Sequence, residues 1–337
     1  MAISRFVQIR CKIDFVRGFA LSILGLGLLG LVTLQVRGQG PITPRSKTAP
    51  KQQSAPPPSA DLRVETNLVL IPVSVSDPLN RPVTGLDREN FSIFDNGSQQ
   101  TISAFSMEDA PVAVGLVFDT SGSMGSKLHQ SRMAAKAFFT TSNPEDEFFL
   151  VEFDSSPRLA VPLTSDSGSI ENELVFTKSK GSTALLDGLM LALHEMRKSK
   201  KTKKALLVIS DGGDNNSRYT ESEVKNVLVE TDCMVYSIGV FESVMMGRTP
   251  EEMGGADLLA KISESTGGRL FPSIPAELPD IAQKIGVDLR NRYVLGYQPA
   301  SQMRDGKYHK VRVVVIPPRG LPKLQPHFRT GYYAPVD

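Results

Sequence analysis

Three short segments carry the side chains best suited to chemistry. The first is Asp119-Thr-Ser-Gly-Ser123, a carboxylate and two spaced serine hydroxyls on a turn containing glycine. It follows the apolar run Val112 to Phe118, which reads as a buried strand. The turn therefore sits at a strand's C-terminal end, where open α/β sheets bind ligands. The second is Asp211-Gly-Gly-Asp214, delivered by another apolar run, Ala205 to Ser210. The third is Gly181-Ser-Thr-Ala-Leu-Leu-Asp187, a loop entering a helix, in which Thr183 adds a hydroxyl. Such hard oxygen donors suit Mg²⁺, Mn²⁺ or Ca²⁺ rather than zinc. Ser, Gly and Asp are also ordinary turn residues, so the first segment alone is equally a turn. The three together point to a metal.

The elements around these segments alternate. Strands are expected over 112–118, 147–153, 205–210, 234–240 and 269–271, and helices over 127–141, 184–198, 220–231, 256–266 and 275–290. The last helix places Leu278, Ile281, Ile285 and Leu289 on one face, and Thr220 with Glu223 forms a capping box. Strand–helix alternation means a doubly wound, mostly parallel sheet covered on both faces.

This α/β domain, residues 111–290, is flanked by strand-like segments at 61–110 and 291–337. Asn96-Gly97 is a tight-hairpin signal between two apolar bursts. Each flank is too short for its own core. The two are expected to pair into one small β-sandwich-like domain, with the α/β domain inserted between them.

The N-terminus is expected to be a targeting segment. Arg5, Arg10, Lys12 and Arg17 precede the uncharged stretch Gly18 to Val36, the pattern of a signal peptide. Val36 and Gly38 suit cleavage before Gln39, and the stretch also approaches the ~20 residues of a membrane span. Residues 1–38 are thus a signal peptide or an anchor, and either exports the body. Residues 39–60, rich in Pro, Ser and Gln, read as a solvated tether. Outside residues 1–37 the chain holds 33 basic and 35 acidic residues. That near-neutral balance offers no electrostatic footprint for nucleic acid. Cys233 is the one thiol beyond the leader and reads as a core residue.

Motifs of several enzyme classes are missing. His194-Glu195 lacks the second His of a zinc-protease helix, and no Gly-x-Ser-x-Gly elbow or phosphate-binding Gly-rich loop occurs. Ser222-Glu-Val-Lys225 has none of its partner motifs. The basic run Arg197 to Lys204 reads as a solvated loop between a helix and a strand, with anionic polymer or lipid headgroups as its alternative ligands. The loop Glu242 to Gly255, with Met245-Met246, is expected at the surface, with a place beside the metal face as the alternative.

With its Asp-x-Ser-x-Ser loop, distant Thr and later Asp, the chain resembles the von Willebrand factor A domains. The flanks narrow the likeness. Leu68-Val-Leu-Ile-Pro-Val-Ser-Val-Ser-Asp77, Arg290-Asn-Arg-Tyr-Val-Leu-Gly-Tyr297 and Arg329-Thr-Gly-Tyr-Tyr-Ala-Pro335 look like the VWFA-related family best known from acidobacteria. The resemblance implies a metal-ion-dependent adhesion site built from Asp119, Ser121, Ser123, Thr183 and Asp211; Asp214 falls outside the family's set and reads as a supporting or surface carboxylate. It also implies a divalent cation, Mg²⁺ first and Mn²⁺ or Ca²⁺ after it. Its partner would be a protein or glycan that offers a carboxylate. The expected role is an exported, non-enzymatic binding protein. The alternatives are an assembly component of the cell envelope whose metal only stiffens loops, and a metal-dependent hydrolase.

Overall fold

A computed structural model describes residues 68–107, 110–241, 250–299 and 306–334. The leader, the tether and residues 242–249 of the Met245-Met246 loop lie outside the described residues. Among the described residues, no helix is long and apolar enough to cross a membrane.

The central sheet has six strands. In chain order these are β5 (Val112–Asp119), β6 (Glu147–Phe153), β7 (Pro157–Thr164), β8 (Lys203–Ser210), β9 (Met234–Val240) and β10 (Leu270–Ser273). Their spatial order is β10-β9-β8-β5-β6-β7, all parallel except the β6–β7 pair. β5 is buried along its whole length because both its faces are covered. Val112, Val114, Leu116 and Phe118 face α1 (Leu128–Phe139), α2 (Ser167–Phe176) and α6 (Leu278–Arg290). Ala113 and Val117 face α3 (Leu185–Met196), α4 (Glu221–Thr231) and α5 (Pro250–Ser265). This alternation is the period of two that a pleated strand imposes. Gly115 breaks the apolar series for a steric reason: a Cβ there would meet the Phe149 ring at 2.1 Å. Thr220 and Glu223 form the capping box of α4, and Cys233 is buried.

β7 and α2 were not expected from the sequence. β7 is an antiparallel edge strand with two register shifts against β6, and Val161 is its one buried residue. α2 is short, buries Ile170 and Leu174, and leaves Val175 and Phe176 exposed.

The remaining strands form two four-stranded sheets, β13-β1-β11-β4 and β14-β12-β2-β3. Here β1 is Val69–Ser76, β2 Phe91–Asp95, β3 Ser98–Gln100, β4 Ile102–Met107, β11 Tyr293–Tyr297, β12 Tyr308–Val315, β13 Gln325–Phe328 and β14 Gly331–Tyr333. Both sheets mix strands from before and after the α/β domain: β1 and β4 pair with β11, and β2 pairs with β12. Ile71, Val73, Ile93, Tyr293, Leu295 and Val313 share their core. Asn96 and Gly97, at φ 46° and 86°, make the turn between β2 and β3.

Candidate metal centre

Asp119 ends β5, and Ser210 ends its neighbour β8. From β5 the chain steps to β6 on one side, while β8, β9 and β10 build outward on the other. The crevice between β5 and β8 is thus the point where the winding reverses, the usual ligand position in this sheet type.

Asp119 is fully buried. Its Oδ1 accepts the Ser121 N–H at 2.8 Å, and its Oδ2 accepts the Ser210 hydroxyl at 2.5 Å. Ser210 Oγ in turn accepts the Gly212 N–H at 2.9 Å. One carboxylate therefore ties together the loops that follow two strands. Burial pushes the Asp119 carboxyl up to about 6, against the Ser121 and Ser210 hydrogen bonds, and the charge on Asp211 adds to the rise.

Ser121 Oγ and Ser123 Oγ lie 3.1 Å apart, Ser121 buried and Ser123 open to solvent. The Gly122 N–H donates to the Gly181 carbonyl at 3.0 Å, and the Ser179 hydroxyl donates to the Ser121 carbonyl at 2.5 Å. These bonds bring the Thr183 loop against the Asp119 loop. Thr183 and Asp211 are both buried, and Thr183 Oγ1 and Asp211 Oδ1 fall 3.7 and 3.6 Å from the point where a Gly213 side chain would begin. All five sequence-predicted donors thus sit on loops that meet at one sheet edge.

Two predicted neighbours have other duties. Asp214 accepts the Leu185 N–H at 3.0 Å and the Ser217 hydroxyl at 2.5 Å, so it holds the start of α3. Asp187 accepts the backbone N–H groups of Arg218 and Tyr219. Asn215 Oδ1 accepts the Thr183 N–H at 3.0 Å and fixes the backbone of that donor.

Lys127 was missed in the sequence. It is 4% exposed, and its Nζ lies 3.2 Å from Asp211 Oδ2, itself on a residue 7% exposed. No signal in the sequence marks it, because a lysine just before α1 is ordinarily solvated. Ser210 was read only as the end of a strand, yet its hydroxyl is the partner of Asp119.

The donor set suits a small hard cation. Neighbouring ligands of an octahedral ion bound at roughly 2.1 Å lie about 3 Å apart, close to the Ser121–Ser123 separation. The serine hydroxyls also reach each other as a hydrogen bond at that distance. A buried Asp119 beneath them supplies the anionic charge that a cation would neutralise. Among the described residues, no three His, Cys, Asp or Glu side chains converge. The site is therefore of hydroxyl-rich character.

A family profile for the von Willebrand factor type A domain matches residues 114–213, the stretch that contains all five donors. The chain thus contains a von Willebrand factor type A domain. An uncharacterized protein of Borreliella burgdorferi is 26% identical over 181 residues, 47% of this chain and 52% of that one. The chain so spans about half the length of the curated relative it matches. Among solved structures, a von Willebrand factor type A protein from Catenulispora acidiphila is 14% identical, covers 73% of this chain and 76% of its own, and has a TM-score of 0.46. The von Willebrand factor domain of the type V pili tip protein Mfa5 from Porphyromonas gingivalis is 15% identical, covers 54% and 97%, and scores 0.43. Proximal thread matrix protein 1 from the mussel byssus, with a zinc-occupied metal-ion-dependent adhesion site, is 18% identical, covers 58% and 49%, and scores 0.44.

Proposed function

We propose that this protein is an exported, non-enzymatic binding protein that engages a carboxylate of a protein or acidic glycan through a divalent cation, Mg²⁺ before Mn²⁺ or Ca²⁺. The observation that carries the reading is the meeting of Asp119, Ser121, Ser123, Thr183 and Asp211 on loops tied to one another at the β5–β8 switch point. Lys127 neutralises Asp211, so the site adds little net negative charge beyond Asp119. A cation held mainly by hydroxyls stays electrophilic and accepts an outside carboxylate. Ser123 is the donor exposed to solvent, on the side from which a partner would approach. A cleft of ≈ 470 Å³, lined by Thr120 of the Asp119 loop with Glu152, Asp154, Arg158 and Lys180 among others, would seat groups flanking that carboxylate.

The test is calorimetric titration of Mg²⁺ and Mn²⁺ into the full chain and into Asp119→Ala, followed by partner capture with and without chelator. We expect saturable metal binding in the parent and none in the variant, and capture that chelator abolishes. Partner binding that survives both chelator and the substitution would refute the mechanism. It would favour instead an assembly component, a reading supported by loops already laced together through Lys127 and Asp211.

A further inference from the structure

The opposite end of the central sheet carries a second charged feature. β8 begins at Lys203, seven residues before Ser210, which places its start roughly 23 Å from the metal centre. There the α/β domain meets the β domain. A cleft of ≈ 50 Å³ lies in this seam, and its charged lining is Lys203, Lys204, Arg292, Arg329 and Asp232. Four basic side chains and one carboxylate thus line it.

That carboxylate is already engaged. Asp232 Oδ1 pairs with Arg329 Nη1 at 2.8 Å, while Arg329 Nη2 donates to the Leu70 carbonyl at 2.8 Å. Arg292 is 4% exposed, and its Nη2 donates to the Tyr236 hydroxyl at 3.1 Å. Its Nε makes no hydrogen bond, and neither does that of Arg329. A guanidinium carries five donors and cannot shed its proton, so a buried one with an orphan N–H calls for an acceptor. The basic run read in the sequence as a solvated loop ends in this cleft: Lys203 and Lys204 line it, whereas Lys198 pairs with Glu195 and Lys200 is exposed.

We propose that this cleft binds a single small oxyanion of the phosphate class. A compact, multiply charged group satisfies what the site offers: a lining rich in basic side chains, a guanidinium with a free donor, and room for little more than the head of the ligand. Anchoring it would clamp β1, β8, β9 and β11 together, because Pro72, Lys204, Met234 and Val294 from those strands also line the cleft. The site is independent of the metal centre.

The experiment is calorimetric titration of inorganic phosphate into the full chain at low ionic strength, with EDTA present to silence the metal centre. We expect one saturable site. Lys204→Gln is expected to bind about tenfold more weakly or worse, the loss of one charge-assisted contact. Arg292→Lys keeps the charge but loses the fork and is expected to lose as much. Lys200→Gln, outside the cleft, is expected to bind as the parent does. If Arg292→Lys fails to fold, Lys204→Gln, partly exposed at a strand's start, decides alone. Absence of saturable binding would show that the cleft holds only water and would overturn the proposal. Equal losses in Lys200→Gln and Lys204→Gln would also overturn it, by showing a diffuse basic surface. A parallel titration with phosphatidylglycerol vesicles distinguishes the source of the phosphate. Vesicle binding lost in Lys204→Gln alone would assign the site to a lipid headgroup.

Discussion

Replacing Asp119 by Asn should stabilise the metal-free protein at neutral pH and destabilise it at pH 4. The carboxyl is fully buried, and its pKa rises from 3.8 to about 6. At about 1.36 kcal/mol per unit, keeping it ionised in the fold costs about 3 kcal/mol. The sign follows from proton counting. Between pH 4 and 6 the folded state holds the Asp119 proton more tightly than the unfolded state, so this group's contribution to stability falls as pH rises through that window. Above it the full penalty applies. Asn removes the charge and can still accept the Ser121 N–H, but its amide nitrogen faces Ser210 Oγ, which has lost its acceptor. That mismatch offsets about 1 kcal/mol. In EDTA the variant should therefore be about 2 kcal/mol more stable than the parent at pH 7.5 and about 0.5 kcal/mol less stable at pH 4. Urea unfolding of both proteins at each pH measures this. Taking the difference cancels other titrating groups, including His327, which burial and Arg269 hold down to about 4. Saturating Mg²⁺ should reverse the order at pH 7.5, adding about 2.7 kcal/mol to the parent at a hundredfold excess over Kd and nothing to the variant. A variant less stable than the parent by the same amount at both pH values would refute the account of Asp119 as a carboxylate strained by desolvation.

Lys127→Met leaves Asp211 buried without its ammonium partner. In chelator it should destabilise the protein by about 3–5 kcal/mol by denaturant unfolding. Its Mg²⁺ affinity by calorimetry should rise at least about tenfold, because the cation no longer competes with a tethered charge; unchanged affinity would remove Lys127 from the site's electrostatics. Burial pushes the Cys233 thiol up to about 12, so iodoacetamide at pH 8 should label it only in denaturant, as read by peptide mapping. Labelling of the native protein at the rate of a free thiol would contradict that burial.

The sequence was most informative where chemistry and backbone period coincide. Asp119, Ser121 and Ser123 share one loop, and the apolar runs of β5 and β8 announced the strand ends that deliver Asp119 and Asp211. Thr183 was readable because its loop opens a helix with a strong apolar face. Lys127 was not, because a lysine at a helix start is ordinarily solvated, and only tertiary packing shows that its stem is covered. β7 escaped because Pro157 and Pro162 interrupt an edge strand whose buried face is nearly reduced to Val161. α2 escaped because Val175 and Phe176 point to solvent and blur its period.

The seam between the two domains shows why buried charge is hardest to read from one chain position at a time. Arg269 reaches across to Asn80 Oδ1 at 3.3 Å and lies 3.4 Å from His327 Nε2, which also contacts Ser76 Oγ at 3.0 Å. Tyr236 donates to Asp288 at 2.6 Å, and Arg292 donates to Tyr236. In the sequence these are scattered polar residues, each with an ordinary surface reading. In the fold they form one network in which Arg269 and Arg292 outnumber Asp288. An apolar seam of the same area would hold the domains together with little preference for angle. Directional bonds that cross the seam, from Arg269 to Asn80 and from Arg329 to Asp232, select one angle instead. The cost is a buried Arg292 whose Nε–H has no acceptor, and the oxyanion proposed for the adjoining cleft would supply one.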